Sequence, residues 1–175
     1  MRQMTDHFAL FGLQPSFSID AEALERAYRG IQEQVHPDRH AGGGDAERRA
    51  AMQWTMRVNE AYRTLKSPLE RARYLLELNG VDVAFETNTA MPADFLMRQM
   101  ELRESLEEAA AGRDPAALDA LRAGLRGDAR AIEAELAERI DLKRDYAGAG
   151  GLVRKLKFVQ RLDEEIDAVF DEIEV

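Results

Sequence analysis

A single proline, Pro37, stands between two long stretches whose apolar residues recur at helical spacing, and this arrangement constrains the fold more than any other feature of the chain. Before it, Leu24, Ala27, Tyr28, Ile31 and Val35 share one helix face; after it, Ala51, Thr55, Val58, Ala61, Tyr62 and Leu65 do the same. Proline lacks an amide hydrogen, and its ring disfavours the α conformation in the residue before it. The first helix must therefore stop. Two amphipathic helices joined by the nine-residue segment His36–Gly44 then bury their stripes by folding back on each other as an antiparallel hairpin.

Local signals place the other elements. Met4 to Gly12 reads as a short helix with Gly12 as its left-handed stop. Asp20 is a good N-cap, with Glu22 in the first turn and Ile19 and Leu24 spaced as a hydrophobic staple. Asp45 is the expected cap of the second hairpin helix. Leu69 to Leu78 forms a further helix between Pro68 and the Asn79-Gly80 stop, and residues 81–90 lack periodicity and read as a linker. Beyond it, Pro92 opens a helix at its first position and runs to about Ala111, and Asp114-Pro115 starts a second with Leu118, Leu121, Leu125, Ile132, Leu136 and Ile140 on its core face. Gly124 and Gly127 weaken that helix by roughly 1 kcal/mol each relative to alanine, so a bend is expected there. A third helix follows Gly148-Ala149-Gly150-Gly151 and carries Leu152, Leu156, Val159, Leu162, Ile166, Val169 and Ile173. The expectation is an all-α chain: a hairpin domain over 1–78, a linker over 79–90, and an antiparallel three-helix bundle over 91–175.

Composition supports helix, since Ala, Leu, Glu and Arg dominate. Of the 24 basic and 33 acidic residues, residues 1–78 hold 11 of each, so the whole net charge of −9 falls on the second half. An acidic chain without a basic stripe is a poor partner for phosphate backbones or anionic membranes. Neither nucleic acid nor a membrane is expected as a partner. The absence of cysteine removes disulfides, thiolate zinc sites, Cys-held clusters and cysteine nucleophiles together. With only three histidines, and no phosphate-binding loop, HExxH or Ser/His/Asp pattern, neither a catalytic centre nor a cofactor is expected. No stretch approaches 18 apolar residues and no secretory leader pattern opens the chain, so a cytoplasmic protein is the expectation.

The hairpin loop carries the most informative tripeptide, His36-Pro37-Asp38. Proline stiffens the turn, and a short carboxylate beside it is held where an arginine of a partner can take it through two hydrogen bonds. On the loop alone, an ordinary proline turn with a capping aspartate explains the residues as well. Its context decides. Phe8-Ala9-Leu10-Phe11-Gly12-Leu13, Ala27-Tyr28-Arg29, His36-Pro37-Asp38 and Val58-Asn59-Glu60-Ala61-Tyr62-Arg63-Thr64-Leu65 followed by Pro68 resemble, in order, the J-domain family. That resemblance implies a co-chaperone which docks His36, Pro37 and Asp38 on a DnaK-type chaperone and biases it toward ATP hydrolysis, a shift that requires differential affinity for one chaperone state. Arg39, where the family usually has lysine, and Arg26 and Arg29 on the preceding helix join the implied chaperone-binding set. Arg26 and Arg29 are interleaved with Glu25 and Glu33, unlike the strongly basic helix usual in J-domains, and they also fit a plain solvated face. The departure implies weaker electrostatic steering toward a general chaperone and favours a dedicated one.

The chain then departs from a generic J-domain. Arg71 to Gly80, the run Met91-Pro92-Ala93-Asp94-Phe95-Leu96-Met97-Arg98-Gln99-Met100-Glu101-Leu102-Arg103-Glu104, and Val153-Arg154-Lys155-Leu156-Lys157-Phe158 resemble the HscB family of iron–sulfur co-chaperones over nearly the whole length. The resemblance implies the specialised chaperone HscA and the cluster scaffold IscU as partners. The residues themselves point to a client face: Phe95, Leu102, Leu106 and Ala109 make one apolar line, while Leu96, Met97 and Met100 lie off it. Methionine adapts to irregular partner surfaces. A bundle helix touching neighbours on two sides, or packing on the J-domain, explains the same pattern. By resemblance, Leu96, Met97, Met100, Glu101, Glu104 and Phe158 form the scaffold-binding set, although Phe158 lies at the edge of its own stripe and suits a core position too. The alternative function is a J-protein with another client, its bundle used for dimerisation or substrate holding.

Overall fold

The computed structural model describes residues 5–40, 42–83 and 90–174, with Pro37 and His40 described by their backbone only. Every regular element among them is helical: α1 (His7–Leu10), α2 (Ala21–Val35), α3 (Asp45–Lys66), α4 (Pro68–Leu78), α5 (Ala93–Ala111), α6 (Pro115–Ala137) and α7 (Tyr146–Glu174), with a 3₁₀ turn at Pro37–His40 and a π-helical turn at Glu138–Leu142. The chain divides into two compact units after Leu75, within α4. No helix among the described residues is long and apolar enough to cross a membrane.

In the first unit, α2 and α3 pack as the expected hairpin. Asp20 caps α2, its carboxylate accepting from the amides of Glu22 at 3.0 Å and Ala23 at 3.1 Å. Leu24, Val58, Ala61 and Leu65 are buried between the helices, joined by Phe8, Phe11 and Phe17 from the N-terminal segment and by Leu69, Ala72 and Leu75 of α4. α1 is shorter than the Met4–Gly12 reading: Asp6 caps it, and Gly12 then turns with φ +66°, a conformation that favours glycine. Met4 lies outside the described residues. His7 stacks on Tyr74 at 4.3 Å, and burial holds its imidazole below the usual histidine range. Arg71 ties α4 down by donating to the Phe17 carbonyl at 2.7 Å and the Leu65 carbonyl at 2.6 Å. One capping expectation fails: α3 begins at Asp45 itself, with Gly44 at the cap position and no side-chain hydrogen bond there, and the Asp45 carboxylate instead takes Arg48 at 2.5 Å.

The second unit is a bundle of α5, α6 and α7 around Leu102, Leu106, Leu118, Leu125, Ile132, Leu136, Leu152, Leu156, Leu162 and Ile166. Asp114 caps α6 as expected, accepting from the Ala117 amide at 3.1 Å. Pro92 is the cap of α5 and not its first residue, since its ψ of 145° is extended. α6 runs unbroken through Gly124 and Gly127; the irregularity falls instead on the π turn at Glu138–Leu142, where Lys143 pairs with Glu138 at 2.6 Å. α7 starts at Tyr146 and carries Gly148–Gly151 inside its first turns, which corrects the expectation that the helix starts only after that run. The reason is local. Asp145 accepts from the Gly148 amide at 2.9 Å and is itself held by Arg139 at 2.9 Å, so the first turn is capped by a fixed carboxylate. A Cβ at Gly148 would collide with both groups, so the glycine is there to let them close. Arg103 to Glu165 at 2.9 Å, and Arg122 to Asp163 at 3.2 Å and to Asp167, lace the bundle surface.

The segment after α4 is not wholly unpacked. Gly80 turns with φ +76°, the Val81 amide reaches back to the Leu76 carbonyl at 2.9 Å, and Val83 is buried with its carbonyl accepting from Arg154 at 3.3 Å. Residues 84–89, the rest of the expected linker, lie outside the described residues.

Candidate functional site

The stop of α2 at His36 and the 3₁₀ turn after it set the geometry of the hairpin tip. His36 is extended, with φ −56° and ψ 133°, and the turn closes through the Arg39 amide on the His36 carbonyl at 3.0 Å. The nine-residue loop is therefore shaped at its first half. Within it the Asp38 amide lies 3.3 Å from His36 Nδ1, and the Asp38 carboxylate also lies 3.3 Å from that nitrogen. These contacts are alternatives: a bare Nδ1 accepts from the amide, whereas an Nδ1 that carries a hydrogen donates to the carboxylate. The Asp38 side chain is 90% exposed and that of His36 59%, so both are presented outward. Arg29, Gln32, Glu33 and Val35 of α2 join His36, Asp38, Arg39 and Thr55 around a cleft of about 570 Å³ at this tip. Of the six residues proposed for this end, the structure thus gathers Arg29, His36, Asp38 and Arg39. The Pro37 side chain lies outside the described atoms. Arg26 does not line the cleft and faces Glu22 at 3.7 Å.

Two features of this unit escaped the sequence reading. Tyr28 and Tyr62 stack with ring centroids 3.9 Å apart, and Tyr28 donates to Asn59 at 2.7 Å while accepting from Gln32 at 2.7 Å. Tyr62 donates to Glu25 at 2.5 Å, and Arg29 donates to the other oxygen of the same carboxylate through Nη2 at 3.0 Å and Nε at 3.2 Å. The Tyr62 hydroxyl, with Arg29 beside it, holds the Glu25 carboxyl below its ordinary range. Both tyrosines belong to the apolar stripes, and nothing in one-dimensional spacing shows which polar group their hydroxyls meet.

In the bundle, Leu96, Met97 and Met100 are 44%, 64% and 64% exposed, while Leu102, Leu106 and Ala109 on the same helix are buried. α5 therefore carries an apolar patch that its own bundle does not cover. Glu101 and Glu104 are exposed beside them, Glu101 facing Arg98 at 3.7 Å. Phe158 of α7 is half-buried and meets Phe95 of α5 edge-on at 5.7 Å. Arg103 sits over the Phe158 ring at 5.6 Å and Lys155 over the Phe95 ring at 5.3 Å, so two cations clamp the aromatic pair. Phe95, read only as part of the apolar line, is what joins Phe158 to α5.

Comparison with known proteins agrees with this layout. The family model of the DnaJ domain matches residues 6–74, and that of the HSCB C-terminal oligomerisation domain matches residues 91–167. A protein of Burkholderia multivorans named co-chaperone protein HscB homolog is 53% identical over 168 residues, covering 96% of this chain and 95% of its own length. Among solved structures, chaperone HscB from Vibrio cholerae superposes with a TM-score of 0.84 at 38% identity, covering 96% of this chain and 99% of its own. Human co-chaperone protein HscB superposes with a TM-score of 0.90 at 26% identity, covering 100% of this chain and 86% of its own. An exposed His36/Asp38 tip on a helical hairpin, followed by a bundle of the matching kind, makes this chain a member of the HscB family of J-domain co-chaperones, whose partner is a DnaK-type chaperone.

Proposed function

We propose that this co-chaperone stimulates ATP hydrolysis by HscA and delivers the iron–sulfur scaffold IscU to it, acting in the cytoplasm as a regulator with no catalysis of its own. The observation that carries the reading is the pairing of two outward-facing sites in one chain: a charged tip on the first unit and an uncovered apolar patch on the second. His36, Pro37, Asp38, Arg39, Arg26 and Arg29 serve the chaperone; Leu96, Met97, Met100, Glu101, Glu104 and Phe158 serve the scaffold. An exposed Asp38 carboxylate suits bidentate capture by an arginine of the chaperone, and an apolar centre rimmed by charge suits a protein partner. Purified HscA should hydrolyse ATP faster with this chain present, and faster again when IscU is added than the two separate stimulations combine to give. An HscA turnover rate indifferent to the chain would overturn the proposal.

The matched family model is described as an oligomerisation domain, which favours self-association as a second use of the bundle. Light scattering at the concentrations of a scaffold titration separates the two: a monomer that binds IscU through the bundle supports delivery alone.

The proposed division is a J-domain over 1–78, a linker over 79–90 and a client-binding domain over 91–175. A fragment of residues 1–78 is expected to fold as a helical hairpin by circular dichroism, to stimulate HscA weakly and to bind no IscU. One extended to Asp82 keeps the Gly80 turn and the Val81–Leu76 bond and should melt a few degrees higher. A helix-free 1–82 fragment would show the boundary to be misplaced.

A further inference from the structure

Arg29 is the one cation of α2 that lines the cleft beside His36 and Asp38, and it does not stand free there. Its guanidinium is engaged through Nε and Nη2 by one oxygen of Glu25, four residues earlier on the same helix. Ordinary pairs of this spacing are loose, because both side chains sample many rotamers in water. Glu25 is different, since its second oxygen is pinned from the facing helix by the Tyr62 hydroxyl, and the Tyr62 ring is in turn stacked flat on Tyr28. Lys66 stands over the other side of that system, 5.4 Å from the Tyr62 ring. The carboxylate is thus fixed by a scaffold element, and Arg29 meets it already in place. Arg26 shows the contrast, facing Glu22 at 3.7 Å with both side chains largely exposed and no third group among the described residues holding either.

From this arrangement we infer that Glu25 is a specificity-determining residue: a built-in competitor that occupies Arg29 and so weakens docking on any chaperone whose surface relies on an acidic group to capture it. The inference rests on the proposed chaperone-docking role of the tip and names which of its charges is held in reserve. An incoming carboxylate that takes Arg29 through Nε and Nη2 must displace Glu25, and one that takes the remaining N–H groups meets a charge Glu25 already compensates. A chaperone that engages Asp38 without needing Arg29 escapes that penalty, so Glu25 narrows the range of chaperones served. Charges at the edge of an interface act chiefly on the association rate and its salt dependence. Glu25 therefore acts on how readily the complex forms and leaves the stimulated rate at saturation alone.

The test uses the full chain titrated into two probes, HscA and a general DnaK, with steady-state phosphate release read at low and high salt. Glu25→Gln is nearly isosteric and still accepts from Tyr62. It should lower the half-saturating concentration for DnaK by roughly three- to tenfold at low salt, with the maximal rate unchanged and the gain lost at high salt. HscA, which Arg29 also serves in the proposed reading, should gain in the same direction by a smaller factor. In an Arg29→Gln background the same change should do nothing, because its effect passes through Arg29. Tyr62→Phe, which keeps the ring stack but releases the carboxylate, should move half-saturation the same way by a smaller factor. An unaltered or raised half-saturation in Glu25→Gln with an unchanged melting temperature overturns the inference, as does an equal gain in the Arg29→Gln background. Loss of stimulation in Asp38→Asn measured alongside keeps the docking reading standing whichever way Glu25 behaves; retention of stimulation there defeats the docking reading itself.

Discussion

Asp38→Asn should abolish most of the stimulation of the chaperone ATPase while leaving the fold and the scaffold interaction as they were. The side chain is almost fully exposed, so its exchange for a near-isosteric amide removes no buried contact, and the Asp38 amide that meets His36 is untouched. What disappears is a charge-assisted acceptor for a partner arginine. Losing one member of a desolvated charge pair typically costs about 2 kcal/mol or more, which is roughly a thirtyfold loss of affinity for the competent chaperone state. Phosphate release measured with IscU present, beside a thermal melt and an IscU titration of the same variant, resolves the three effects. Undiminished stimulation would remove the tip from the mechanism.

Replacing Leu96, Met97 and Met100 together by alanine should do the reverse, weakening the scaffold and sparing the fold. Buried residues of this size cost roughly 2–5 kcal/mol each when truncated, enough in sum to unfold the bundle. These three are 44–64% exposed, and α5 is anchored by Leu102, Leu106 and Ala109 on its other side. A shift of only a few degrees in melting temperature is therefore expected. Central apolar anchors of protein interfaces contribute about 2 kcal/mol or more each, so IscU affinity should fall by at least tenfold. Replacing Glu101 and Glu104 by glutamine should act through charge and fade as salt rises. A triple variant that melts normally and binds IscU at full strength would place the client site elsewhere.

The parts of this molecule that were readable in the sequence are those governed by one-dimensional rules. Apolar spacing located every long helix, the two aspartates Asp20 and Asp114 acted as the caps their positions implied, and Pro37 stopped α2 one residue earlier, at His36. Leu96, Met97 and Met100 were legible as surplus to the core because they stand off the line that Leu102, Leu106 and Ala109 define. Failures came where two segments settle a matter jointly. Gly148–Gly151 reads as a loop until Asp145 and Arg139 are seen to cap the turn from outside it. Asp45 reads as a cap until Arg48 takes its carboxylate. The Glu25–Tyr62 bond spans 37 residues and depends on side-chain torsions at both ends, and spacing along the chain carries no trace of it.

The two ends of the α2–α3 hairpin are secured very differently. At the end away from the loop, α2 begins on the two-bond cap of Asp20, and the Tyr62–Glu25 bond crosses between the helices. At the loop end, α2 finishes without a basic residue in its last turn, α3 starts at Asp45 behind a Gly44 that offers no side-chain cap, and the cross-helix bond from Thr55 to the Val35 carbonyl is long at 3.4 Å. Free energies of local opening follow such differences, so fraying should be graded along the hairpin, easiest at the tip proposed to meet a chaperone. Engagement there can reshape the last turn of α2 and the first turn of α3 without drawing on the cooperative unit behind them. Protein engineering faces the same gradient from the other side: a serine or aspartate at position 44 would stabilise α3 by roughly a few tenths of a kcal/mol over glycine, and would tighten the one end whose looseness lets a second protein set its shape.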